Sequence, residues 1–309
     1  MQFDYWQASS LNLISRAKQM SSLKQSIPAE PRTFAEKVRY RMAYDRRPIL
    51  AEFADKYHVR NHVTKKVGTK YLSKIYDVSH SPSKIRWKDL PENFVCKTNH
   101  GSGGMIGVWT GVEQEARLPA DHSNLGWTRW WVHPSNFDSS VCESMMNRWL
   151  RENYAFRVGA FPEWAYSSIQ RKIYVEELLV HSNGIIASPY YFYTFNGKVE
   201  VVLISQRDKK SSRFIGFVDK DWNHLNVGIG EIDANTVINP FPVMPENFQE
   251  MIDVAEMLAD QLDFARVDLY PVDNKIIFSE ITNYPGGGVV PWVPEELELH
   301  MGQLWRLHA

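Results

Sequence analysis

The sequence predicts a mixed α+β protein in which antiparallel hairpins are more evident than β-α-β units. Three observations carry that prediction. Asn196-Gly197 lies between two strand-like stretches, 185–195 and 198–205, and is the strongest two-residue hairpin signal in the chain. Phe248, Met251, Ile252, Ala255, Leu258 and Leu262 recur at helical spacing within 245–262. Two further strand-like runs, 264–270 and 275–281, follow at once, joined through "PVDNK".

The remaining elements follow in order. Residues 1–47 read as a polar helical extension, with Leu11, Leu13, Ile14 and Met20 as a loose stripe and a break at Pro28 and Pro31. A helix over 50–66 is expected next, then a turn at Gly68, a strand over 72–78 and a loop punctuated by Pro82 and Pro91. Strands from Phe94 to Thr98 and from Met105 to Thr110 flank a glycine loop. An aromatic segment with Trp127, Trp130 and Trp131 leads into a helix over 139–154 and a strand over 173–180. The tryptophans favour packing over sugar stacking. The chain divides into four regions at 1–47, 48–93, 94–182 and 183–309.

Composition excludes several function classes. With 309 residues, 44% hydrophobic and 23% charged, the chain has the makings of a large globular core. Its 35 basic and 36 acidic residues nearly cancel, so no global attraction to nucleic acid or an anionic membrane is expected. The two cysteines, Cys96 and Cys142, make no disulfide framework and suit a reducing cytoplasm. Cys96 lies within the apolar run "FVC" and reads as a small buried hydrophobe. No apolar run is long enough to span a membrane, and "MQFDYWQASS" does not read as a signal peptide. Self-association is left open.

Chemistry concentrates in a few stretches. In "FVCKTNHGSGG", Lys97 precedes Gly101, Ser102, Gly103 and Gly104. Glycine backbone N–H groups with no Cβ in the way can hold phosphate, and a lysine adds a point charge. The alternative is an ordinary flexible hairpin. Asn99 and His100, beside the loop, are candidate substrate contacts.

Near the end, Arg266, Asp268 and Tyr270 share one strand face, and Phe278, Glu280 and Thr282 share another. Asp268 and Glu280 face the same way only if the connection has three residues or the hairpin carries a bulge. A clean two-residue turn at Asp273-Asn274 sets them apart. Converging carboxylates would suit Mg²⁺, which takes one or two carboxylates plus phosphate oxygens. The alternative is a solvated hairpin face.

The stretch "KIYVEELLV" offers an apolar strand end and backbone for an adenine edge, through Glu176, Glu177, Leu178 and Leu179. Arg207, beside "DKKSS", could take a phosphate or a carboxylate. Gly286 and Gly287, in "NYPGGGVVPW", would let a substrate approach the backbone closely.

Taken in order, a strand lysine, a glycine flap, V-E-x-x-L, R-V-D and E-x-x-x-x-P-G resemble the ATP-grasp superfamily. Within it, "ADKYHVRNHVTKKVGTKYL", "FVCKTNHGSGG", "FNGKV", "FARVDLY" and "SEITNYPGGG" are similar to the TupA-like polysaccharide-biosynthesis branch. The resemblance runs from about Leu50 to the C-terminus. It implies two α+β subdomains clasping Mg-ATP. By resemblance, 48–93 is an N-terminal α/β subdomain, 94–182 the nucleotide subdomain and 183–309 the subdomain with the metal site. Lys97 would contact the phosphates under Gly101 to Gly104, and Glu176 to Leu179 would face adenine. Asp268 and Glu280 would hold Mg²⁺ with Thr282 or Asn283, Arg266 would sit by the transferring phosphoryl group, and Asn183 would replace a ribose-binding acid. The implied reaction joins a glycan or small-molecule carboxylate, expected to be that of a uronic-acid sugar in surface polysaccharide biosynthesis, to an amino acid or small amine through an acyl phosphate. A nucleotide-sugar-dependent glycosyltransferase and an ATP-dependent phosphotransferase are the competing readings.

Overall fold

A computed structural model describes residues 4–122, 126–157, 160–207, 213–229 and 241–308 of the chain. Two five-stranded sheets form its frame. The first contains β1 (Ile75–Ser79), β2 (Phe94–Thr98), β3 (Met105–Val108), β4 (Arg129–Val132) and β5 (Ile173–Glu176), in the order β1-β5-β2-β3-β4. All its pairings are antiparallel except β3 with β4. The second sheet is wholly antiparallel. Its order is β11-β10-β6-β7-β8, with β6 (Tyr190–Phe195), β7 (Lys198–Arg207), β8 (Arg213–Val218), β10 (Phe264–Val272) and β11 (Lys275–Thr282). A two-residue pair of β9 (Gly228–Ile229) with β12 (Trp292–Val293) completes the strands.

The hairpins form where the turn chemistry places them. Asn196 and Gly197 both take positive φ, 49° and 74°, as the two-residue turn from β6 to β7 requires. Asp273 also takes positive φ, 50°, in the two-residue turn between β10 and β11. Strand 173–180 is shorter than expected: β5 stops at Glu176, and only an isolated bridge between Val180 and Ile186 follows.

Helices cover the sheets through their apolar faces. In α5 (Ser139–Arg151), capped by Asp138, Cys142, Met145, Met146 and Trp149 pack on the first sheet against Cys96, Ile106 and Val175. In α6 (Phe248–Ala259), Phe248, Met251, Ile252, Ala255 and Leu258 join the core of the second sheet. Cys96 and Cys142 are both fully buried thiols.

The expected N-terminal extension packs into the body: Leu23 and the residues from Phe34 onward join the core. In α2 (Phe34–Tyr44) the Thr33 hydroxyl accepts from Glu36 N at 3.2 Å, and the Glu36 carboxylate accepts from Thr33 N at 3.0 Å. Phe34 meets Phe264 edge-on with ring centroids 5.0 Å apart, and Val38 and Met42 are fully buried. The sequence hid this because α2 alternates core residues with Glu36, Lys37, Arg39 and Arg41, diluting its apolar stripe.

A buried ion cluster ties α2 to the strand that carries the site. The Arg41 guanidinium, 1% exposed, lies 2.8 Å from Asp263, and Arg47 lies 2.6 Å from the same carboxylate. Trp305 Nε1 donates to Asp263 at 2.6 Å. Removing one partner of such a pair leaves a buried charge uncompensated, so Asp263→Ala is expected to cost about 3–5 kcal/mol. Urea denaturation of wild type and variant checks this.

Candidate functional site

The hairpin register decides how the C-terminal carboxylates face. Val272 pairs with Lys275 and Leu269 with Phe278, as a two-residue turn dictates. Then Asp268 pairs with Glu280, leaving Ser279 as an extra residue in β11. This bulge reverses the alternation, so the two-residue turn and the shared face coexist. Directly opposed residues of an antiparallel pair point to the same side, and the Asp268 and Glu280 carboxylates converge.

Two cations sit among them. Arg266 donates from Nε and Nη2 to the two oxygens of Asp268, both at 2.7 Å. Arg266 Nη2 also lies 3.3 Å from Glu280 and donates to Thr282 Oγ1 at 3.0 Å, while that hydroxyl donates to Glu280 at 3.1 Å. Lys56 forms the second ion pair with Glu280. Burial pushes the Asp268 carboxyl up to about 7, with Arg266 pulling against it and Glu280 adding to it. Burial also acts to raise Glu280, but Lys56 and Arg266 overcome it and hold that carboxyl well below the usual range.

The donor set fits Mg²⁺. Two carboxylates and a hydroxyl on one sheet face are hard oxygen ligands of the kind Mg²⁺ takes. Among the described residues no group of three or more His, Cys, Asp or Glu that could hold a metal ion forms, so within them the two carboxylates stand as a pair. Mg²⁺ sites completed by substrate phosphates have that composition. Asn283, the alternative third ligand, donates its amide to Leu50 O at 2.7 Å, and its Oδ1 is buried without a partner.

Lys56 is a residue the sequence reading missed. The helix expected over 50–66 is two helices, α3 (Pro48–Ala54) and α4 (Val59–Lys66). Asp55 Oδ1 breaks it by accepting from Tyr57 N and His58 N, each at 3.0 Å. The break turns Lys56 toward Glu280. An aspartate that can cap the following turn in mid-helix was the available signal.

The second charge cluster lies on the first sheet. Lys97 pairs with Tyr174 and Val95 with Glu176 in the β2–β5 ladder, so Lys97 and Glu176 are diagonal neighbours on one face. Lys97 Nζ donates to Glu176 at 2.5 Å. Behind it, Ser73 Oγ donates to the other carboxylate oxygen at 2.7 Å, and Arg60 donates to Ser73 Oγ at 3.1 Å. Burial opposes the Lys97 charge, but Glu176 outweighs it and raises the lysine above its ordinary range. Arg60 and Ser73 were also missed; only tertiary contact reveals them.

The two clusters lie close enough to share neighbours. Tyr270 and Tyr174 lie between them, each within electrostatic reach of Lys97, Glu176 and Glu280. Asn99 bridges the lobes: its O accepts from Lys56 N at 3.0 Å, and its side chain donates to Asp55 at 2.9 Å. A short chain of contacts thus runs from the end of β2 through Asp55 and Lys56 to Glu280. Next to Tyr270, Leu179, Ala187, Val272 and Ile277 form a small apolar cluster.

The other expected site residues have these surroundings. Asn99 is fully buried, and its remaining side-chain bonds go to Gln170 O and Lys172 N, so it braces the cleft instead of facing a substrate. His100 is fully buried with Nε2 3.1 Å from Trp149 O, and burial holds it down to about 4, neutral and structural. The Glu176 carboxylate accepts from Lys97 and Ser73. Glu177 is exposed, and its N–H donates to Lys74 O at 2.9 Å. Leu178 is half-buried, and Leu179 O accepts from Ala187 N. Asn183 is exposed, with Oδ1 accepting from Ile185 N at 3.0 Å in a local turn. Arg207 ends β7, and its side chain, with Asp208 and the rest of 208–212, lies outside the described residues.

The glycine loop owes its composition to an indole. A Cβ on Gly101 would come within 2.5 Å of the Trp127 ring, and one on Gly103, where φ is +100°, within 2.3 Å of Trp127 O. Trp127 stacks on Trp149 and meets Tyr154 edge-on, so it packs the lid. Ser102, at the exposed tip, hydrogen-bonds Tyr154. Gly286 and Gly287 turn at φ 60° and 59°; Gly286 is exposed, and Glu163 Oε1 lies 4.0 Å from where a Cβ on Gly287 would sit.

Glu163 is the last missed residue. It is 7% exposed, and its only recorded side-chain partner among the described residues is Arg157, 3.5 Å away. Burial pushes its carboxyl up to about 7, with Arg157 and Lys56 pulling down and Glu280 pushing up. A carboxyl raised on folding is favoured when protonated. Its contribution to stability is therefore full below the unfolded value near 4.5 and is lost as pH rises through about 7. Glu163→Gln, which stays neutral, should match wild type near pH 4.5 and exceed it by about 2–3 kcal/mol at pH 8. Thermal melting of both proteins across that range measures the difference.

Comparison with known proteins adds the following. The family model described as TupA-like ATPgrasp matches residues 36–306. No curated protein matches the chain. Solved structures that resemble it include the ATP-grasp ligase PsnB complexed with a minimal precursor, at 10% identity and TM-score 0.38, covering 91% of this chain and 65% of that one. The D-alanine–D-alanine ligase of Bacillus anthracis matches at 13% identity and TM-score 0.40, covering 77% of this chain and 60% of that one. The phosphoribosylamine–glycine ligase of Thermotoga maritima matches at 12% identity and TM-score 0.35, covering 86% of this chain and 58% of that one. The chain thus spans less than two thirds of the length of these structures.

Proposed function

The chain belongs to the TupA-like ATP-grasp family, and we propose that it is an ATP-dependent ligase that joins the carboxylate of a uronic-acid sugar to an amino acid or small amine through an acyl phosphate. What supports this reading is that the Lys97–Glu176 pair and the Arg266–Asp268–Glu280 cluster act on the same residue, Tyr270. Family membership supports the ATP requirement. The sugar acid and a place in cytoplasmic polysaccharide biosynthesis rest on the branch's resemblance. No helix among the described residues is long and apolar enough to cross a membrane.

The chemistry asks a carboxylate to attack a polyanion. Lys97 would take phosphate oxygens from the side of the first sheet, beneath the Ser102 tip. Arg266 would face the transferring phosphoryl group from the second sheet. Lys56, carried between α3 and α4, adds a third positive charge at the same point. Asp268, Glu280 and Thr282 would hold Mg²⁺, which supplies further charge neutralisation when bound. Adenine would lie in the apolar cluster of Leu179, Ala187, Val272 and Ile277 beside Tyr270. The carboxylate oxygen bonds to the γ-phosphorus as its bond to the bridging oxygen breaks, and ADP leaves with that electron pair. The amine nitrogen then bonds to the acyl carbon, and phosphate leaves. Positioning and charge complementarity supply the rate enhancement, and no protein nucleophile is needed.

An ADP-release screen of uronic acids against amines, with products weighed by mass spectrometry, tests the reading. The expected product has the mass of acid plus amine less water. A phosphorylated sugar, or transfer that needs a nucleotide-sugar, would replace the ligase reading with another.

A further inference from the structure

We propose that Glu163 is the general base that takes a proton from the incoming amine, beside the Gly286-Gly287 turn. The inference rests on the ligase reading above and assigns its second half-reaction. An amine presented as an ammonium ion carries no lone pair, so it must lose a proton in the cleft before it can attack.

The other cleft carboxylates are committed. Asp268 is bound bidentate by Arg266, Glu280 by Lys56 and Arg266, and Glu176 by Lys97 and Ser73. Glu163 has only the 3.5 Å contact with Arg157, whose side chain is 39% exposed and able to yield to an arriving cation. The backbone on either side is fixed: Glu163 N donates to Ala155 O at 2.9 Å, and Tyr166 N donates to Glu163 O at 3.1 Å. In the turn beside Glu163, Gly287 has no side chain, and the nearest atom to where its Cβ would sit is Glu163 Oε1 itself, 4.0 Å away, so an amine held by this turn would meet the carboxylate.

The surroundings suit a proton acceptor that works near neutrality. The groups facing Glu163 are Arg157, Lys56, Glu280, Tyr154, Tyr166 and Tyr284. Burial raises all three tyrosines, which leaves them protonated and neutral at pH 7. Glu163, held up to about 7, is close to the operating pH that favours general-base catalysis. The protons balance. Of the three on the ammonium nitrogen, one passes to Glu163 and on to solvent, one leaves with inorganic phosphate, and one stays on the amide. The C–N bond forms as the C–O bond to phosphate breaks, and phosphate takes the electron pair.

The test compares two nucleophiles in wild type and Glu163→Gln, using the acid and amine that the ADP-release screen returns. Hydroxylamine is largely neutral at pH 7 and captures an acyl phosphate as a hydroxamate without a base. The ratio of amide to hydroxamate rates is expected to fall about 100-fold or more in the variant. Raising the pH should partly restore it as free amine accumulates. Binding of Mg–AMP-PNP by calorimetry verifies that the variant is folded. An unchanged ratio, whether both rates hold or both fall together, overturns the role of Glu163. A wild type that yields neither amide nor hydroxamate with ATP overturns the ligase reading itself, and this inference with it.

Discussion

Lys97→Ala is expected to lower kcat about 10²–10³-fold, the loss seen when one donor to a developing charge is removed. The same change strands the Glu176 carboxylate, which is buried at the centre of the first cluster. Ser73 and Arg60 still hold it, so the stability cost should lie near the lower end for a broken buried pair, about 3 kcal/mol. The two effects separate in the double variant Lys97→Ala/Glu176→Gln. Neutralising Glu176 should recover most of the lost stability and none of the lost turnover. Urea denaturation and steady-state kinetics on the three variants measure both. If the double variant regains activity, Lys97 acts only by balancing Glu176, and it does not serve the nucleotide.

Glu280→Gln should have the larger effect. Glu280 is a carboxylate held ionised by both Lys56 and Arg266. Losing a carboxylate that positions Mg²⁺ removes several kcal/mol of charge stabilisation. At 1.36 kcal/mol per factor of ten, kcat should fall about 10³-fold or more. The half-saturating Mg²⁺ concentration should rise as well. Asp268→Asn should raise it too, but that variant also disturbs the bidentate grip of Arg266. Rate measurements over a Mg²⁺ series decide the matter. Low activity with unaltered Mg²⁺ dependence would move both carboxylates out of the metal site.

The architecture was legible where local chemistry fixes the backbone. Asn196-Gly197 specified its turn, and α6 announced its buried face through residues at helical spacing. The carboxylates of 268 and 280 were legible as a pair, but their facing was not. It turns on one unpaired residue, Ser279, whose bulge has no local signature in "IIFSEIT". The glycine loop was legible as a loop. Its reason, the indole of Trp127 lying where Cβ atoms would be, comes from a residue more than twenty positions away.

The charged partners were the least legible part. Lys56 looked like one more polar residue on a helix until Asp55 broke that helix. Glu163 lies in "FPEWAY", where nothing but tertiary burial marks it. Asn99 and His100 carry structural partners that the sequence did not reveal. Polar side chains beside a glycine loop suggested substrate contacts, yet both are spent on holding β2 to its neighbours. Sequence reports which groups can do chemistry. Which of them the fold has already paired is a matter of contacts between distant segments.

Calorimetric titration of Mg–AMP-PNP into wild type, Lys97→Ala and Glu280→Gln tests most directly whether the cleft between the two sheets holds the nucleotide. The expected result is one nucleotide per chain in wild type, with affinity sharply reduced in both variants and in wild type without Mg²⁺. Equal affinity in all three proteins would place the nucleotide elsewhere and contradict the account.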